Sequence, residues 1–165
     1  RVVGIFFPKD LGDAMAGRVR FLDESHSVIF TDKGIQFFST RVETSPELVS
    51  QIPIEENIRS ITYAQDKVGI VTDNVEGGDP YKLRIYDREG SPVFEKTFNY
   101  QYTGFDIDGD LVLLYNDSSC KVYNMTGTEK YNGTFDFTVS KVSAGRFPGT
   151  LLVMGPQKMT EIKLQ

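Results

Sequence analysis

An all-β chain made of stacked four-stranded units is the fold class this sequence predicts, and three observations predict it. Two stretches are versions of one another. Residues 81–98 read YKLRIYDREGSPVFEKTF and residues 120–135 read CKVYNMTGTEKYNGTF, so Tyr86 matches Tyr123, Gly90 matches Gly127, Phe94 matches Tyr131 and Phe98 matches Phe135, each at an offset of 37 residues. Self-similarity at a period of about 20–50 residues marks a repeat architecture. Twelve Phe and eight Tyr, with no Trp, lean toward the pleated, half-buried surfaces of sheets. Short apolar runs are closed repeatedly by Gly, Asp and Asn, and helix signals are nearly absent. Units of this kind, about 40–45 residues long, are the blades of a β-propeller.

The elements follow in order. Residues 1–18 hold an apolar strand at 2–7 (VVGIFF), read as the end of an earlier blade, and a breaker-rich loop at 8–17. Four units come next, at 19–57, 58–102, 103–138 and 139–165. Each opens with a strand a, expected at 19–22, 58–63, 103–107 and 139–143. A polar turn leads to strand b at 28–30, 68–71, 111–115 and 151–154. These b runs are continuously apolar, as expected for strands sandwiched between neighbouring blades, where both faces are buried. Strand c is expected at 34–38, 81–86, 120–123 and 159–164, and strand d at 48–54, 93–98 and 130–135. Residues 46–51 have the length of one helical turn but stand where a d strand belongs. The a strands are spaced 40 residues from Phe21 to Ile61, 44 to Phe105 and 37 to Val142, which matches blade length. The c–d turns, Asp87-Arg88-Glu89-Gly90 and Asn124-Met125-Thr126-Gly127, open on Asp or Asn and close on Gly, the chemistry of a tight turn.

The fourth unit stops after strand c, so about four blades are present. The chain reads as a single partial propeller domain over 1–165, half of a seven- or eight-bladed ring. A half ring exposes a sheet face at each end, which invites self-association.

Net charge is −5, and an acidic surface disfavours nucleic acid and anionic membranes. Cys120 is the only cysteine. It excludes an intrachain disulfide and reads as a small buried hydrophobe at the start of a strand. No run reaches the roughly 18–20 apolar residues of a membrane span.

Three segments carry a family resemblance: VRFLDESHSVIFTDKGIQFFST (19–40), YKLRIYDREG (81–90) and YNMTGTEKYNGTF (123–135). Broadly they resemble WD40-like and quinoprotein-like propeller repeats, without the Trp-Asp signature. More narrowly they resemble a family of unknown function from Gram-positive bacteria of the clostridial type. That resemblance implies an N-terminal membrane anchor followed by an exported propeller-like domain, and it brings no catalytic residues.

Chemistry-bearing motifs are few. Asp106, Asp108 and Asp110 alternate around Gly109 and offer the oxygens a Ca²⁺ ion needs, but the spacing is equally that of an Asp-Gly hairpin turn, which is the favoured reading. His26, the only histidine, is flanked by Asp23, Ser25 and Ser27. On one tight turn these side chains point apart, so a Ser–His–Asp arrangement is not expected. Gly77-Gly78-Asp79-Pro80 lacks the Lys-Ser/Thr and the helix of a phosphate loop. Asn116, Asn124 and Asn132 form sequons that also read as turn chemistry. Tyr100 and Tyr102, in the link NYQYT, are the best candidates for an exposed aromatic ligand platform. No cofactor motif is present. The expectation is therefore a non-catalytic, extracytoplasmic binding or scaffolding module for a protein, peptide or glycan. A fragment of a propeller enzyme with its catalytic groups elsewhere is the alternative.

Overall fold

The computed structural model describes residues 16–40, 46–64 and 66–165. Four antiparallel sheets follow one another along the chain. The first blade contains β1 (Ala16–Phe21), β2 (His26–Thr31), β3 (Gly34–Ser39) and β4 (Glu47–Pro53). The second contains β5 (Ile58–Tyr63), β6 (Lys67–Asp73), β7 (Tyr81–Asp87) and β8 (Pro92–Phe98). The third contains β9 (Gly104–Asp108), β10 (Leu111–Tyr115), β11 (Ser119–Asn124) and β12 (Glu129–Thr134). The fourth contains β13 (Lys141–Ala144), β14 (Thr150–Met154) and β15 (Met159–Lys163). In every sheet the spatial order equals the chain order. The expected strand at 2–7 and most of the loop at 8–17 lie outside the described residues. Ala16 and Gly17, expected in that loop, open β1 instead, because a register shift between Ala16 and Arg18 lets the strand run past the glycine. Residues 47–53 are strand d rather than a helical turn. No helix occurs among the described residues.

The core is inter-blade. Leu22, Val28, Phe30, Ile35 and Phe37 of the first blade meet Val68, Ile70 and Tyr86 of the second. Val71, Leu83, Ile85 and Phe98 of the second meet Ile107, Val112, Leu114 and Tyr123 of the third. Leu113, Cys120 and Val122 of the third meet Val142, Leu151 and Val153 of the fourth. Alternation therefore sends Ile70 to one neighbour and Val71 to the other, and β2, β6 and β10 are buried along nearly their whole length. Each such side chain contributes about 1.5–3 kcal/mol relative to leaving it in water. The first strands of successive blades lie beside one another, β5 next to β9 and β9 next to β13, which sets them on the inside and strands d on the outside.

The repeated turn is reproduced atom for atom. The Asp87 carboxylate accepts from the amides of Glu89 and Ser91, both at 2.9 Å. Asn124 Oδ1 accepts from Thr126 and Thr128 at 3.0 and 2.9 Å. Gly90 and Gly127 close the two turns at φ of 85° and 78°, a conformation that costs glycine little. A Cβ on Gly90 would also meet Phe37 and Ser50 of the preceding blade at 2.7 Å. This glycine is thus part of the seam as well as of the turn.

Candidate functional site

The structure separates the three aspartates. Asp106 and Asp108 share one face of β9, toward Lys141 and Ser143 of the fourth blade, around a small recess of about 210 Å³. Asp108 accepts a hydrogen bond from the Ala144 amide at 2.8 Å, so its carboxylate joins two blades. Burial pushes the Asp106 carboxyl up, with Lys141 partly opposing this and Asp108 adding to it. Asp110 is exposed on the turn. Among the described residues no three His, Cys, Asp or Glu side chains are grouped to hold a metal ion. Residues 108–111 form the hairpin between β9 and β10, with Asp108 paired to Leu111 and Gly109 at a φ of 57°.

The tyrosine pair also differs from expectation. Tyr100 and Tyr102 are half-buried packing residues, not an exposed platform. The Tyr100 hydroxyl pairs with Ser119 Oγ at 2.7 Å and the Tyr102 hydroxyl with Ser60 Oγ at 2.6 Å. Tyr102 sits against Tyr81, Phe98 and Phe105 at ring separations of 5.9–6.3 Å. Burial raises both phenols, and the serine contacts only partly oppose it. A link that reaches a face need not expose its rings when the next blade supplies an apolar slot and a hydroxyl partner.

His26 is buried, with Nδ1 2.9 and 3.0 Å from the Asp23 carboxylate oxygens. Ser25 Oγ lies on the same nitrogen at 3.0 Å. These three side chains converge rather than point apart as expected, because the turn folds Asp23 back over His26. Serine and aspartate share one ring nitrogen instead of taking the two that a triad uses. Arg88, from the β7–β8 turn, donates to Asp23 at 3.0 Å. Burial works against the Asp23 charge, but the Ser25 amide, His26 and Arg88 outweigh it and hold the carboxyl far below its usual range. The cluster is a clasp across the seam between the first two blades. Cys120 is fully buried, and burial pushes its thiol up to about 12.

A further recess was not visible as a motif. A cleft of about 570 Å³ opens between the first two blades, lined by Ile52 and Pro53 of β4, Glu55 and Glu56 of the link, Val75 of the β6–β7 loop, and Arg84, Tyr86 and Glu95. Arg84 is buried and donates to Glu56, and its Nε lies 3.7 Å from Glu95. Burial alone would raise the Glu56 carboxyl, but its backbone hydrogen bonds and Arg84 hold it below the usual carboxylate range. One wall is apolar and the other ionised, the composition of a ligand recess. The sequence signal was present but silent: a buried strand position, Arg84, carries a charge, and the link before it reads Glu55-Glu56 where the next link is aromatic.

Sheets stacked face to face, inner strands side by side and a recess at one seam define a β-propeller assembled from four-stranded blades. The chain belongs to a family of unknown function (DUF5711), which it matches over residues 1–164. No curated protein matches it. Among solved structures it is similar to Hsv2 of Kluyveromyces lactis, with a TM-score of 0.52 at 10% identity over 92% of this chain and 46% of that one. It is similar to BBS1N from its complex with ARL6DN, with a TM-score of 0.52 at 12% identity over 96% and 54%. It is also similar to a functionally unknown protein from Desulfotomaculum acetoxidans, with a TM-score of 0.50 at 14% identity over 92% and 56%. Hsv2 and BBS1N are β-propellers, and at such identities the likeness is one of fold. The chain spans about half the length of these structures.

Proposed function

We propose that this chain is a non-catalytic binding or scaffolding module, exported and held at the outer side of a bacterial membrane. Its ligand is a protein, peptide or glycan, and its partners do not include nucleic acid. The observation that carries the reading is the cleft between the first two blades, which combines an apolar wall with a charged one at a seam that the neighbouring seam closes with aromatic rings. Export and anchoring rest on the resemblance of residues 19–40, 81–90 and 123–135 to an anchored family. Protease accessibility of the full-length protein in intact cells tests the location.

The binding reading is tested by probing glycan and peptide arrays with the labelled chain and with Val75→Lys, which puts a long charged side chain on the cleft rim. Ligands retained by the wild type and lost by the variant support the reading; arrays blank for the wild type end it. A second reading, a piece of a propeller enzyme, is favoured by one fact: the chain spans about half the length of the structures it resembles. Acid or His clusters at the same blade positions in a longer gene product, with hydrolytic turnover, would establish it.

A further inference from the structure

Resting on the binding reading, we propose that the cleft between the first two blades docks a partner segment by taking up a Lys or Arg side chain. Glu55, Glu56 and Glu95 line the recess against one guanidinium, Arg84. Lys82, adjacent on β7, contacts Glu95 at 2.9 Å and Glu76 at 3.3 Å. Four carboxylates thus face two cations. Arg84 is already held by Glu56 and Glu95, so an incoming anion meets carboxylates first, while an incoming cation meets the surplus charge. Ile52, Pro53, Tyr86 and Val75 supply an apolar wall, and Val75 is 75% exposed at the rim. A long basic side chain lays its methylene stem along such a wall and keeps its charged end on the carboxylates.

The protein contains its own version of this arrangement one seam further on. Tyr86 and Tyr123 are equivalent by the 37-residue repeat. Over the Tyr123 ring stands the Lys96 ammonium, 5.0 Å from the centroid and donating to the Gly127 carbonyl at 3.0 Å. Lys96 pairs with Leu83 across β7–β8, as Ile52 pairs with Ile35 across β3–β4. The position that delivers an ammonium to the second seam is therefore an isoleucine at the first. There Tyr86 lines a recess shared with Glu55 and Glu56, Arg84 is engaged by Glu56 and Glu95, and the place of the Lys96 ammonium is left to a cation from a partner.

The experiment is fluorescence anisotropy on the full chain with three labelled decapeptides of equal length, one Lys/Ala, one Glu/Ala and one Ser/Ala. The Lys/Ala peptide is expected to bind and the Glu/Ala peptide not. Glu55→Lys, at an exposed position, is expected to weaken the basic peptide about fivefold, the scale of one rim charge pair. Ile52→Lys, which installs the missing internal ammonium, should abolish binding, with a thermal melt confirming the fold; Glu55→Lys stands alone as the test if it does not fold. Equal binding of the acidic and basic peptides, or basic binding untouched by Glu55→Lys, overturns the inference. Array ligands that are lost in Val75→Lys but indifferent to Glu55→Lys also overturn it while the binding reading stands. Blank arrays end both.

Discussion

The seam between the first and second blades and the seam between the second and third are built on one backbone plan and closed by different chemistry. At the second seam the link places Tyr100 and Tyr102, and the rings of Tyr81, Phe98 and Phe105 fill the gap. At the first, the link places Glu55 and Glu56, Arg84 answers Glu56, and a 570 Å³ recess remains. The residue equivalent to Arg84 is Lys121, which lies 5.9 Å from the Tyr100 ring and 3.5 Å from Glu129. The difference teaches that a propeller seam tolerates either an aromatic plug or an ion-paired opening. The repeat sets the strands, and the links decide which seams stay open.

Several substitutions would break or sharpen that contrast. The largest effect is expected from Tyr102→Ala, which removes the plug and the Ser60 contact and should cost about 3 kcal/mol, read by urea unfolding. An unchanged midpoint would mean that the aromatic filling does not hold the second seam. Arg84→Met should cost about 2 kcal/mol by leaving Glu56 partly buried without its partner, and Glu56→Gln in the same chain should restore part of it. No recovery in the double variant would show that the pair is not coupled. Gly90→Ala should cost about 2 kcal/mol, from positive φ and the clash with Phe37 and Ser50, against about 1 kcal/mol for Gly127→Ala, whose neighbour is the movable Phe94 ring. Equal costs would remove the seam role of Gly90.

Acid probes the clasp. The Asp23 carboxyl is lowered in the fold relative to about 3.9 in an unfolded chain, so its stabilisation is present above that value and fades as pH falls through the folded one. The wild type should therefore lose more stability than Asp23→Asn between about pH 5 and pH 2, and parallel acid profiles would contradict it. The smallest effect is at Asp106, whose carboxyl is raised by burial. Asp106→Asn should leave stability at neutral pH unchanged or slightly higher, as thermal melts at pH 7 would show.

The strands were legible in the sequence because each depends on residues close in the chain. β5 and β10 fall on the expected residues, and the two c–d turns follow from Asp87 or Asn124 with a glycine three residues later. The site was not legible because its contacts are made between blades. Glu56 and Arg84 are 28 residues apart, and Ser60 and Tyr102 are 42 apart, so no local pattern announces either pair. Tyr100 and Tyr102 were misread for the same reason: a tyrosine in a link carries no mark of the serine that will tie its hydroxyl.

Cys120 has a practical consequence. Its thiol is shut inside the third seam and resists ionisation up to about pH 12, so it should ignore maleimide dyes and mild oxidants. The natural chain is therefore ready for site-selective labelling: one cysteine introduced at residue 75 would be the sole reactive handle, reporting directly on whatever enters beside it.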